Sequence, residues 1–142
     1  MMNSLKRLFG GGKGPAVPVS YVPPADPEPQ IEVPDIQVTA LLALADDAVR
    51  PVILDVREVY EWEQVRLPDD GPFTVLHIPM NSVPARLAEL PADRPIGVLC
   101  AHGNRSYGVA HYLIEQGYDA HNIAGGITQW HIRGGDVIVR RR

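Results

Sequence analysis

Short apolar runs alternate with stretches of helical periodicity along most of this chain, and few folds accommodate that alternation. Pro51-Val52-Ile53-Leu54-Asp55-Val56 reads as a strand, apolar without a break until Asp55. Such a run suits a strand buried on both faces. Phe73 to Ile78, Pro95 to Leu99 and Asp119 to Ile123 read as further short strands, and Asp136 to Val139 as a terminal one. Between them lie helical patterns. Asp35 is placed to cap a helix carrying Val38, Leu41, Leu42 and Ala45. Arg57 to Gln64 puts Val59 and Trp62 on one side. Ser82 can cap a helix with Pro84 in its first turn and Val83, Leu87 and Leu90 inward. Ser106 to Gln116 buries Val109, Ala110, Leu113 and Ile114 and stops at Gly117. Gly125-Gly126 opens a last helical turn with Ile127 and Trp130. Val65 to Pro72 reads as a polar loop.

Strands alternating with helices predict an α/β fold: a small parallel sheet of about five strands, flanked by helices on both faces. Ligands of such sheets bind at the carboxyl ends of strands. Asp55 and Cys100 both stand at predicted strand ends, so they are expected on one rim. The predicted domain covers residues 35–139. Residues 1–34 carry Gly10-Gly11-Gly12 and then crowded prolines, and read as a disordered arm. Within it, Gln30 to Val33 has the pattern of an edge strand. Leu5, Leu8 and Phe9 share a helical face beside Lys6 and Arg7, but barely two turns precede the glycines. A frayed end explains that face better than a membrane anchor. Residues 140–142, all arginine, form a basic tail.

One stretch concentrates the chemistry: Gly97-Val98-Leu99-Cys100-Ala101-His102-Gly103-Asn104-Arg105-Ser106. An apolar run ends in the only cysteine, a tight polar loop follows, and a helix begins. A loop entering a helix N-terminus points backbone N–H groups inward and favours negative charge. A thiol seated there loses its proton readily. A lone cysteine is more often a small buried hydrophobe, but its loop argues otherwise. Gly103 permits a positive φ or a close backbone approach. Arg105 is placed to contact an anion, and Ser106 offers a hydroxyl. His102 is either an electrostatic contributor or a variable loop side chain. His77, His111, His121 and His131 fall in different elements without metal-ligand spacing. No metal or cofactor is expected. Asp55, ending a buried strand, needs a partner, and Arg57 is near enough to supply it or to turn with it toward the loop. Glu61 is explained equally well as a solvated helix residue, and Trp130 as a packing anchor.

The formal net charge is −4, which gives no support for nucleic-acid binding. A single cysteine forms no internal disulfide, which fits a reducing compartment, and the expected location is the cytoplasm.

From about Asp35 to Val139 the chain resembles a single rhodanese-family domain. The matching pieces are Leu54-Asp55-Val56-Arg57 with Glu61-Trp62, then Cys100 to Ser106, then Gly125-Gly126-Ile127-Thr128-Gln129-Trp130. The resemblance implies sulfur transfer. The Cys100 thiolate would take a sulfane sulfur from a donor such as thiosulfate and pass it from a persulfide to cyanide or a thiol. It implies that Ala101, His102, Gly103, Asn104, Arg105 and Ser106 bind the persulfide, with Asp55 and Arg57 in support. Arg105 follows Cys100 in a C-x4-R spacing, where cysteine phosphatases use C-x5-R, so phosphatase or arsenate chemistry ranks below sulfur chemistry. The chain departs from the family's Gly-His-Ile-Pro-Gly-Ala segment: the matching region is read as Val65 to Pro72, with no glycine–histidine pair and a small insertion. The implied partners are a small sulfur donor and a thiophilic acceptor, with a protein acceptor as one form of the latter. The alternative from another class is a rhodanese-fold binding or regulatory module that docks a partner, through the proline-rich arm for instance.

Overall fold

Residues 30–140 are described by the structure, a computed structural model. The arm up to residue 29, the Leu5–Leu8–Phe9 face and the last two arginines of the tail lie outside the described residues. From the N-terminal side the elements run β1 (Asp35–Gln37), α1 (Val38–Leu42), β2 (Val52–Asp55), α2 (Val59–Gln64), β3 (Val65–Arg66) and β4 (Val75–His77). Two 3-10 turns follow, Met80–Ser82 and Pro84–Glu89. Then come β5 (Ile96–Leu99), α3 (Asn104–Glu115), β6 (Ala120–Ala124), α4 (Gly126–Ile132) and β7 (Ile138–Val139).

Five strands form one parallel sheet in the order β1-β6-β5-β2-β4. Side chains alternate across it, as strand geometry requires. On β2, Ile53 faces one core and Leu54 the other; on β5, Leu99 and Val98 divide likewise. Leu54, Val56 and Val98 meet Val109, Ala110 and Leu113 of α3, with Val83 and Leu90 from the 3-10 region. Ile53, Leu99 and Ile123 meet Val38 and Leu41 of α1, Ile127 and Trp130 of α4, and Leu67 and Phe73. Each fully buried Leu or Ile contributes about 1.5–3 kcal/mol, so the two layers hold the sheet from both sides. The same alternation places Cys100 with Val98 on the α3 side. The cysteine thus meets the helix whose first turn follows it.

Several local expectations are corrected. Asp35 caps nothing: Gln37 precedes α1, without a side-chain cap. Asp35 instead pairs in register with Asn122 on the sheet edge. The edge strand is therefore β1 and not Gln30 to Val33; Pro34 still offers its carbonyl to the Asn122 N–H at 2.8 Å. Tertiary pairing overrides a local cap signal here. The helix expected after Ser82 is two 3-10 pieces, and Ser82 lies inside the first. Prolines at 79, 84 and 91 divide the segment into lengths too short to nucleate an α-helix. Val65 to Pro72 is not all loop. Its first two residues pair antiparallel with β7, and Leu67 is buried against Trp130's layer. The terminal strand accordingly belongs to this small ribbon and not to the parallel sheet. Helix α3 starts at Asn104, two residues before the expected point.

One charged pair sits inside the fold. Asp55 is fully buried and Arg57 nearly so. Arg57 donates from Nε to Asp55 Oδ1 at 3.0 Å and from Nη2 to Oδ2 at 2.8 Å. Its remaining donors reach the carbonyls of Val65 at 2.7 Å and Glu61 at 3.4 Å. Replacing Arg57 by Met leaves a carboxylate buried without its cation. Urea unfolding followed by circular dichroism is expected to show a loss of about 3–5 kcal/mol; a loss under 1 kcal/mol would mean that the pair is structurally idle.

Candidate active site

Strand β5 delivers Cys100 to the carboxyl rim of the sheet, one residue beyond the Asp55–Leu99 register pair. The chain turns at Gly103, whose φ of +100° only glycine adopts without strain. A Cβ there would also stand 3.1 Å from the Gly125 nitrogen. Helix α3 starts at the next residue. This compact turn brings its amides onto the sulfur. The N–H of Gly103 lies 3.1 Å from Cys100 Sγ and that of Ser106 3.3 Å, with Ser106 Oγ at 3.2 Å.

The first carbonyls of the loop are held by the neighbouring segment. Ile127 N–H donates to the Cys100 carbonyl at 2.9 Å, and Thr128 N–H to the Ala101 carbonyl at 3.2 Å. These donors belong to the first turn of α4, where backbone N–H groups have no partner within the helix. Gly126 makes the approach possible. Its φ is +62°, and a Cβ would fall 2.3 Å from the Cys100 oxygen. Gly125-Gly126 is therefore the clamp on the active loop, as well as a helix start.

Opposing influences act on the thiol. Burial pushes it up; the residue is 1 % exposed. The Ser106 hydroxyl and the backbone N–H groups of Ser106, Gly103 and His102 favour the anion. Hydrogen bonds to a charged group contribute about 1.5–3 kcal/mol each, and together they win: Cys100 is held below the ordinary thiol value.

Arg105 is committed elsewhere than expected. Its two terminal nitrogens grip Glu61 at 2.6 and 2.8 Å. Hydrogen bonding from Arg105 works against partial burial, and with the Glu58 N–H and the charges of Arg105 and Arg57 it lowers the Glu61 carboxyl to about 2. Arg105 is correspondingly raised, chiefly by Glu61, with a smaller contribution from the negative charge of Cys100. The pair fastens α3 to α2. Arg57 in turn holds the carbonyls of Glu61 within α2 and of Val65 just after it, which links the Asp55–Arg57 pair to Arg105 through this helix.

Ser106 and Asn122 complete the floor. Ser106 Oγ donates to Asn122 Oδ1 at 2.5 Å, and Asn122 Nδ2 donates to Asp35 Oδ1 at 3.0 Å. Both Ser106 and Asn122 are buried. His102 and Asn104 are exposed, and His102 Nδ1 lies 3.4 Å from Thr128 Oγ1. His77 stacks on Trp62 at 5.0 Å and bonds the Arg57 carbonyl at 2.8 Å. Among the described residues no group of three or more His, Cys, Asp or Glu is placed to hold a metal. Glu61, Asn122, Asp35 and Gly126 were not recognised as site residues from sequence. Glu61 and Gly126 lie inside the quoted motifs; Asn122 carries no local signal, and that of Asp35 points to a helix cap.

The family model for the rhodanese-like domain matches residues 38–133. A protein of Allochromatium vinosum described as a sulfurtransferase is 34 % identical over 99 residues, spanning 69 % of this chain and 88 % of the relative. A rhodanese-like domain protein from Staphylococcus aureus superposes with a TM-score of 0.65 at 26 % identity, over 77 % of this chain and all of the other. A rhodanese-related protein from Thermoplasma volcanium gives the same score and identity over 75 % of this chain and 99 % of the other.

Two outcomes are expected from this geometry. Gly126→Ala forces a side chain against the Cys100 and Ala101 carbonyls and displaces the loop. Iodoacetamide labelling of Cys100 at pH 7 should slow at least tenfold while the protein stays folded by circular dichroism; unchanged labelling would mean that the clamp does not matter. For Glu61, a folded value held below the unfolded one gives stability that is full above about 4.5 and is lost as pH falls toward about 2. Acid titration of stability should therefore be flatter over that window in Glu61→Gln than in the wild type, and equal slopes would contradict the Arg105 pairing.

Proposed function

This chain belongs to the rhodanese-like family of sulfurtransferases, and on that premise we propose that it moves sulfane sulfur through a persulfide on Cys100. The observation that carries the reading is the Cys100 sulfur, met by the Gly103 and Ser106 amides at 3.1 and 3.3 Å. Such a cradle holds a sulfur anion as an oxyanion hole holds an alkoxide.

The proposed donor is thiosulfate or a small molecule of the same type. The Cys100 thiolate attacks its outer sulfur, the S–S bond of the donor breaks, and sulfite leaves with the electron pair. The product is a Cys100 persulfide anion. A thiolate or cyanide then attacks the outer persulfide sulfur, giving a new persulfide or thiocyanate, and the Cys100 thiolate returns to the amides. Each half-step is a displacement at sulfur, so ping-pong kinetics are expected. Cys100 is nearly buried, but a persulfide carries its reactive atom about 2 Å farther toward the acceptor. That reach suits a small acceptor or the tip of a protein thiol.

Two features weigh against phosphate or arsenate as substrate. The loop has the shorter C-x4-R spacing, and both terminal nitrogens of Arg105 are occupied by Glu61. A reducing compartment such as the cytoplasm is the proposed location, because a turning-over persulfide needs thiol acceptors.

Mass spectrometry after thiosulfate exposure tests the reading. Wild type is expected to gain about 32 Da, one sulfur atom, and to lose it to cyanide with release of thiocyanate. Cys100→Ser should show neither; an adduct that persists in that variant would refute the assignment.

A further inference from the structure

Asn122 is 5 % exposed and its side-chain amide is held at both ends. The atom 3.0 Å from Asp35 Oδ1 has to be the NH2 group, because a carboxylate only accepts. The amide oxygen therefore faces Ser106, and it also only accepts. It takes the single proton of the Ser106 hydroxyl, at an O···O distance of 2.5 Å. The same hydroxyl oxygen lies 3.2 Å from Cys100 Sγ. While its proton is on Asn122, Ser106 presents lone pairs alone to the sulfur. A thiol fits that arrangement, since S–H donates to Oγ. A thiolate does not, since it has no proton to offer and meets only the Oγ lone pairs at that contact. One proton thus has two acceptors competing for it.

We propose that Asn122, oriented by Asp35, is a positioning residue that keeps the Ser106 proton off Cys100 while the sulfur is protonated and gives it up, by a turn of the hydroxyl, when the sulfur is anionic. The proposal goes deeper into the Cys100 reading and rests on that cysteine being the reactive group. No bond to carbon or sulfur changes in this step; the thiol proton leaves to solvent and the hydroxyl proton only swings. In the persulfide the negative charge sits on the outer sulfur, so the inner one no longer requires the proton and Asn122 recovers it. The hydroxyl direction therefore follows the two half-reactions.

Charged groups on the neighbouring elements have pairings of their own. Arg105 on α3 is bound to Glu61 on α2, and Arg57 to Asp55 at the end of β2. His121 on β6 is paired with Asp119, and His102 on the loop is exposed. Among the described residues none of these has a hydrogen bond to Ser106 or to the Asn122 side chain. Besides Cys100 itself, Asp35 is the one ionisable side chain among the described residues that is hydrogen-bonded to this chain.

The experiment is the pH dependence of iodoacetamide labelling, in which the single cysteine makes every label report Cys100. Asn122→Leu removes the competing acceptor at similar volume and leaves the sulfur as the hydroxyl's only partner. Its labelling midpoint is expected to fall, raising the thiolate-to-thiol ratio at fixed pH roughly three- to tenfold. Asp35→Lys, at an exposed edge, serves if the buried change unfolds the protein. A lysine only donates, so the amide turns its oxygen outward and again frees the hydroxyl. Ser106→Ala should raise the midpoint, and in that background the effect of Asn122→Leu should vanish. The part of the Asp35→Lys shift that survives in Ser106→Ala is plain charge, and the part that disappears is the switch. A midpoint that stays or rises in Asn122→Leu overturns the proposal, as does an equal drop with and without Ser106. Should these shifts appear while thiosulfate leaves no sulfur on Cys100, the switch stands and the sulfur-transfer reading fails.

Discussion

Two backbone hydrogen bonds tie the active loop to its neighbour: Ile127 N–H to the Cys100 carbonyl and Thr128 N–H to the Ala101 carbonyl. A peptide unit has a donor end and an acceptor end, and binding one end outward commits the other inward. The Ala101 carbonyl shares its unit with the His102 N–H, which favours the Cys100 anion, whereas the Gly103 and Ser106 amides belong to other units and reach the sulfur through the turn at Gly103 and the start of α3. The arrangement calls for a backbone approach that no residue with a Cβ permits, and Gly126 supplies it. The cradle is therefore a product of packing between two chain segments, and not of the active loop by itself.

The sheet puts those segments side by side. β5 and β6 are neighbours, so the loop after one and the helix after the other emerge at the same rim. Strand alternation sends the Cys100 side chain toward α3, and Gly103 starts that helix close enough for Ser106 to return to the sulfur. The buried Asp55–Arg57 pair acts at a distance. It holds the end of α2 by its carbonyls, α2 presents Glu61, and Glu61 fixes Arg105. A charge that a free loop would direct at solvent or substrate is spent here on rigidity. Catalysis of this kind gains from groups held in place before the substrate arrives.

What sequence shows well is what depends on neighbours along the chain. The unbroken apolar runs at Val52 to Leu54 and Ile96 to Leu99 disclose the central strands, because a strand covered on both faces has no polar side to display. Cys100, Gly103 and Ser106 disclose a loop-to-helix cradle through their spacing. The Asp55–Arg57 pairing was also within reach, two residues apart and at a strand end. Contacts between distant elements are different. Asp35 has the chemistry of a helix cap, and only its placement opposite Asn122, 87 residues away, makes it an edge-strand partner. Glu61 has the composition of a solvated face until α3 brings Arg105 to it. Val65 and Arg66 look like loop until β7 returns to pair with them. Nothing local distinguishes these outcomes from the simpler ones.

The account stands on the claim that the loop amides make an anion of Cys100 easy to form. Titrating the wild-type thiol by its rate of alkylation across pH measures that claim without reference to any substrate. The rate should level off with a midpoint below the free-thiol value of about 8.5, because the Ser106 hydroxyl and the amide donors together outweigh burial. A midpoint at or above that value would show that burial prevails and that the cradle does not activate the sulfur.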